Sequence, residues 1–277
     1  MLPFAAVVLS LVIIGGCGGW LWIMLHRRLV GVHKLLPACI AVALGITAGC
    51  LASRDEFLQE VRHLRILTGG SHEAERVSLT HQVFAAYRRS DLPQMQQIMK
   101  RAALFLPVIH EAATRYQVNE EVLVGIAATE SSFLPRDSKD GGRGLFQITL
   151  PPKSAVDDVR KQLALQSPDW LNDRHNAFAA AATFRLYLNE MHDDLFLGLL
   201  AYNIGPKNGG LLSIMQQYGA HDFLGIQPYL QNLPRDYPIR VLTAALAWRL
   251  WQKEGQLLRY EEASNALHIQ NIGVPGL

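Results

Sequence analysis

From Val122 to Ala128 the chain offers Val122, Leu123, Val124, Ile126, Ala127 and Ala128 with no polar side to turn toward water, so this helix is buried on most sides. The rest of the chain is organised to cover it. Asn119 is placed to cap its start, and Glu120 and Glu121 occupy the first turn, where the helix dipole favours negative charge. The helix runs to about Ser131 and carries Glu130 in its last turn. There the dipole disfavours a carboxylate, and apolar neighbours such as Phe133 or Phe146 desolvate it. Both effects raise its pKa and suit Glu130 to general acid chemistry.

Elsewhere beyond Arg54 the periodicity is helical, with no convincing strand, and the fold class is all-α. Leu104, Val108, Ala112 and Tyr116 mark one helix, Asn176 to Leu188 an alanine-rich one, and Leu195 to Ala201 another that stops at Tyr202-Asn203-Ile204-Gly205-Pro206. Further helices span 211–218 and 240–253, with Pro228, Pro234 and Pro238 punctuating the stretch between them. Residues 153–172 read as a polar connector. Gly141, Gly142 and Gly144 permit close turns, but no Gly-Lys-Ser/Thr follows, so they are not a phosphate cradle.

The first fifth of the chain differs from the rest. Residues 4–25 and 35–53 are two nearly uncharged apolar runs joined by a basic loop containing His26, Arg27, Arg28, His33 and Lys34. The positive-inside rule keeps that loop cytoplasmic and exports the following domain to the periplasm or cell exterior as part of a transmembrane hairpin. With a start at Met24, the same residues become a signal peptide, and Ile46-Thr-Ala-Gly-Cys50 resembles a lipoprotein cleavage box; Cys17 and Cys50 are equally readable as small helix residues. All three cysteines lie in these runs, which excludes disulfide and thiolate metal chemistry from the remainder. The ten histidines, His110, His175, His192 and His221 among them, show no ligand spacing, so no metal or cofactor is expected. A formal net charge of +2 does not argue for nucleic acid binding. The expected organisation is a membrane anchor or signal region at 1–53, a helical adaptor at 54–101, a catalytic domain at 102–253 and a tail at 254–277. Phe57, Val61 and Leu64 start the adaptor, with a break at Thr68-Gly-Gly-Ser71.

Three blocks, Glu130-Ser131-Ser132-Phe133, Gly144-Leu145-Phe146-Gln147 and Ala201-Tyr202-Asn203-Ile204-Gly205-Pro206, follow in an order and spacing that resemble the soluble lytic transglycosylase (SLT) domain, a lysozyme-like fold shared with goose-type lysozyme. The resemblance covers roughly 102–251. It implies cleavage of the β-1,4 bond between N-acetylmuramic acid and N-acetylglucosamine without water. Glu130 protonates the leaving oxygen while the muramoyl acetamido carbonyl attacks the anomeric carbon; Glu130 then takes the proton of the sugar's 6-hydroxyl, which closes to a 1,6-anhydro product. The family positions place Ser131 or Ser132 near the acid, Gln147 on an acetamido group, Tyr202 and Asn203 on the cleft floor and Tyr237 in the cleft. Unaided, the same residues also read as helix caps, a loop brace and core packing. Leu233 and Pro234 stand where the family has Glu-Thr, Phe146 replaces a Met and Ala180 a Gly.

Two alternatives follow from the same residues. Asp140 acting as an auxiliary base makes the chain a hydrolytic muramidase, whereas Asp137 and Asp140 as solvated loop acids leave Glu130 alone. The departure at Leu233 and Pro234 supports a peptidoglycan-binding scaffold within an envelope protein complex. Peptidoglycan glycan strands are the expected partner in each case, with the membrane engaged by the N-terminal segment.

Overall fold

The computed structural model describes residues 2–52, 70–207 and 209–277, with the side chains of 2–15, 18, 48, 51–52, 71–73 and 233 outside the description. The expected positions at Phe57, Val61, Leu64 and Thr68-Gly69 therefore lie outside the described residues, as does the side chain of Leu233. The chain divides into two units, Met1–Val77 and Ser78–Leu277.

In the first unit, α1 (Leu2–Val32) packs against α2 (Leu36–Ala52). The basic residues His26, Arg27 and Arg28 continue α1 and do not form the expected loop, which shrinks to residues 33–35. Arg and Leu are good helix formers, and nothing between Trp22 and Val32 breaks the turn sequence. Among the described residues no helix is long and apolar enough to cross a membrane. The 17 residues of α2 span ~26 Å at 1.5 Å per residue, short of a hydrocarbon core of about 30 Å. The expected transmembrane hairpin has no support there.

The second unit is helical apart from one small hairpin. After α3 (Gly70–Arg88), which enters it at Ser78, come α4 (Leu92–Ala102), α5 (Leu106–Tyr116) and α6 (Glu120–Ser131). Strands β1 (Arg136–Asp137) and β2 (Arg143–Gly144) pair antiparallel, Arg136 opposite Gly144 and Asp137 opposite Arg143. Then follow α7 (Lys153–Gln162), α8 (Asp173–Glu190), α9 (Leu195–Ile204), α10 (Leu211–Tyr218), α11 (Phe223–Ile226), a 3-10 turn at Gln227–Tyr229, α12 (Asn232–Glu254) and α13 (Asn265–Ile272).

Helix α6 is the central element. Asn119 caps it, its Oδ1 accepting from Val122 N at 3.0 Å, and every residue from Val122 to Ala128 is buried. It lies chiefly along α12, with α4 and α5 beside it. Gly125 sets how closely the two long helices approach, because a Cβ there would meet Val241 O at 2.4 Å. Around this pair, α8 receives α5, α7 and α9, and its alanines Ala177 and Ala179–Ala181 are fully buried.

Several boundaries differ from the sequence-based expectations, each for a physical reason. The two-residue strands are too short for period-two alternation to register. The connector at 153–172 contains α7, whose only buried positions, Ala155 and Val159, are one turn apart in an otherwise polar stretch. Pro234 falls in the first turn of α12, where an N–H is not needed, and Pro238 lies inside the helix. An internal proline costs about 3 kcal/mol, which burial of Ile239, Val241 and Leu242 at about 1.5–3 kcal/mol each outweighs. The stretch 254–277 is part of the unit: Ile269 and Val274 are buried, Arg249 on α12 pairs with Glu121 and donates to Gly273 O at 3.0 Å, and Tyr87 Oη donates to Leu258 O at 2.8 Å. That last bond, the buried Leu79, Val83 and Phe84 of α3, and α4 against α6 and α12 place 78–101 within the same unit, where an adaptor was expected.

Candidate active site

The end of α6 is built to leave Glu130 facing outward. Ser132 and Phe133 follow with φ of 53° and 57°, a left-handed conformation that costs about 1–2 kcal/mol per residue. Two contacts hold it. Phe133 is buried and stacks on Phe105 with ring centroids 5.9 Å apart, and Arg101 Nε donates to Ser132 O at 2.9 Å. Ser131 Oγ donates back to Ala127 O at 3.3 Å inside the helix. Both serines thus serve the helix end, and neither lines the cleft beside Glu130.

Glu130 is half-buried, and Tyr237 Oη from α12 donates to its Oε1 at 2.6 Å. Burial raises the carboxyl's pKa above the ordinary 4.5, the direction expected from the sequence; the Tyr237 hydrogen bond and the charge of Arg240 pull the other way and only reduce the rise. Tyr237 is itself buried, and burial followed by the nearby Glu130 charge pushes its phenol well above 10, so it acts as a neutral donor. Arg240 sits over the Tyr237 ring, 5.7 Å from its centroid. The Tyr237→Phe variant loses a hydrogen bond that favours the carboxylate. Its Glu130 pKa therefore rises further and the alkaline limb of its pH–rate profile moves to higher pH, while the maximal rate falls by about ten- to a hundredfold. A pH–rate profile unchanged from wild type would contradict this coupling.

Glu130 opens into a cleft of about 720 Å³. Tyr202 and Asn203 from the last turn of α9 lie beside it; Thr183 and Tyr187 from α8 form one wall, and the β1–β2 hairpin with Gln147–Pro151 forms the other. Tyr202 packs edge-on against Phe184, and burial pushes its phenol far up as well. Gln147, at φ 46°, spends its Nε2 on Arg136 O and Gly144 O, both at 2.8 Å, so its amide braces the hairpin while lining the cleft. Of the residues singled out from sequence, Glu130, Gln147, Tyr202 and Asn203 share this cleft, and Tyr237 stands behind Glu130. The cap after α9 is Gly205, at a positive φ of 73°, which leaves Asn203 within the helix.

Sequence reasoning missed two residues that shape the site. Asn176 is wholly buried: its Oδ1 accepts from Phe146 N at 2.7 Å, and its Nδ2 donates to Arg143 O at 2.9 Å and Trp170 O at 2.8 Å. It locks the Gly144–Gln147 turn onto α8, and Gly144 is required there, since a Cβ would meet Trp170 O at 2.3 Å. A lone amide opening an alanine run was the available signal. Ser138 lines the cleft and accepts from Gly142 N through its Oγ at 2.9 Å, closing the hairpin turn. Among the described residues no group of three or more His, Cys, Asp or Glu is placed to hold a metal ion.

The second unit is thus helical, and its central helix delivers one half-buried carboxyl to an open cleft. Residues 107–217 match the family model described as the transglycosylase SLT domain, the family that the three motif blocks resemble. Among solved structures, an inactive mutant of lytic transglycosylase Slt from Pseudomonas aeruginosa aligns with 57% of this chain at 16% identity and a TM-score of 0.43. The 70 kDa soluble lytic transglycosylase SLT70 from Escherichia coli aligns with the same figures. The alignment spans about a quarter of each of those proteins, 26% of their length. No curated protein sequence matches.

Proposed function

We propose that the second unit is a peptidoglycan lytic transglycosylase that cleaves the β-1,4 bond between N-acetylmuramic acid and N-acetylglucosamine with formation of 1,6-anhydro-N-acetylmuramic acid. The observation that carries this reading is Glu130: a carboxyl with its pKa raised by burial, held by Tyr237 at 2.6 Å, at the head of the cleft in a stretch matching the SLT domain. Protonated, it gives its proton to the glycosidic oxygen as the C1–O bond breaks, and the substrate's own acetamido oxygen closes on C1. As a carboxylate it accepts the proton of the 6-hydroxyl, whose oxygen displaces the acetamide from C1. Tyr237 stabilises the carboxylate between the two steps. In this reading Gln147, Tyr202 and Asn203 bind the sugar, Ser131 and Ser132 act only through the helix end that aims Glu130, and neither a cofactor nor a metal takes part.

Asp140 favours a second reading, hydrolysis, because it lines the same cleft and is exposed to solvent. A base there that activates water would yield a reducing-end muramic acid. The two outcomes differ by one water. Digestion of purified sacculi with the full-length chain, followed by mass spectrometry, is expected to give anhydro products from both wild type and Asp140→Asn. Reducing-end products that vanish in Asp140→Asn would establish the muramidase instead, and sacculus binding without turnover the scaffold.

The unit acts at the cell envelope in this proposal, on the periplasmic side, with the first unit as its attachment to the membrane. What supports attachment is the apolar surface that α1 and α2 leave uncovered, including Trp20, Ile23, Val42 and Ile46.

A further inference from the structure

We infer that Arg136 is a specificity-determining residue that recognises a carboxylate on the 3-substituent of the muramoyl sugar, an inference that rests on the proposed glycan-cleaving function. Among the described residues it is the one basic side chain lining the Glu130 cleft. Its guanidinium has no carboxylate within ion-pair distance among the described residues and reaches only Leu134 O, at 3.3 Å. Arg143, on the paired strand, is instead matched with Asp137 at 3.4 Å. Asp140 lines the same wall without pairing to Arg136.

The backbone of Arg136 is fixed although its head is not. Its carbonyl accepts from Gln147 Nε2 at 2.8 Å, and β1 pairs Arg136 with Gly144 of β2. An exposed, planar five-donor cation on a braced strand at the wall of a sugar cleft suits two-point capture of a carboxylate better than any neutral group of the glycan. Of the two sugars in the strand, only the muramoyl unit carries such an acid, either its lactyl carboxylate when bare or the carboxylates of the attached peptide.

The test is equilibrium binding of soluble glycan to the full-length Glu130→Gln protein, with and without Arg136→Gln, so that turnover plays no part. Three probes are used: peptide-bearing strands, strands stripped of peptide that keep the lactyl carboxylate, and the neutral N-acetylglucosamine hexamer. Arg136→Gln is expected to weaken binding of the acidic strands by about fivefold, the scale of one exposed charge pair, and to leave the hexamer unaffected. The salt sensitivity of acidic-strand binding falls with it, and Arg136→Lys restores part of the loss. A loss confined to peptide-bearing strands assigns the contact to the peptide, and a loss that persists on stripped strands assigns it to the lactyl group. Equal loss on all three probes, or none on any, overturns the inference. Because binding is read separately from product mass, failure of the carboxylate contact and failure of the transglycosylase reading are distinguishable.

Discussion

Glu130→Gln is expected to release anhydro product at least about 10³-fold more slowly than wild type, since one side chain performs both proton transfers and neither can pass through an amide. The same variant is expected to be more stable at neutral pH. A carboxyl whose folded pKa is raised above its ordinary 4.5 binds its proton more tightly in the native state, so native stability falls as pH climbs from the ordinary value through the raised one. Above that window the penalty is complete, and below about pH 4 it is absent. Gln carries no such penalty while its Oε1 still accepts from Tyr237. A tenfold gain in native-state proton affinity corresponds to about 1.4 kcal/mol, and each kcal/mol to about 2–4 °C for a unit of this size. Thermal melts of the two proteins should therefore separate at pH 7 and converge near pH 4. Coincident melts at both pH values would remove the case that Glu130 is a strained, shielded acid, and persistent anhydro release would remove it from the chemistry.

The second large effect is expected far from any reacting atom. In Asn176→Ala, the buried Phe146 N–H and the Trp170 carbonyl lose their partner together, while the Arg143 carbonyl loses one of two and keeps its bond from Ile148 N at 3.0 Å. Each of the two unsatisfied groups costs about 1–3 kcal/mol, so a total of about 2–4 kcal/mol is expected, allowing for partial relaxation. The urea midpoint should fall by roughly 1–3 M. Activity should fall as well under conditions where the protein remains folded, because the turn that carries Gln147 and braces Arg136 is released from α8. Asn176→Asp does not rescue it: the carboxylate keeps the bond from Phe146 N but faces two carbonyls with no hydrogen to offer. A midpoint within a few tenths molar of wild type would show that the turn is held by other contacts.

These two residues mark how far the sequence could be read. Glu130 was legible because the helix carrying it is local: a cap at Asn119, an unbroken apolar run and a bare acid at the end all lie within a dozen positions, and helix periodicity reports burial directly. Asn176 was not legible as a structural lock, since its three partners come from two other segments, and an amide in an alanine-rich helix looks the same whether it caps, solvates or bridges. Two-residue strands, a helix running through Pro238 and a C-terminal stretch docked by Arg249 were hidden for the same reason: packing against distant elements overrode local propensity.

The bond between Tyr237 and Glu130 separates the two kinds of information most clearly. The chain by itself determined that an apolar helix would end on Glu130, because the cap, the apolar run and the acid all lie within one element. The partners lie 107 positions apart, and only the packing of α12 along α6, made close by Gly125, decided that a buried phenol would hold the acid. Tertiary structure likewise decided that Arg136 and Asp140 share the cleft while Ser131 turns back onto its own helix. Such facing relationships depend on the directions in which elements cross, and local periodicity does not specify them.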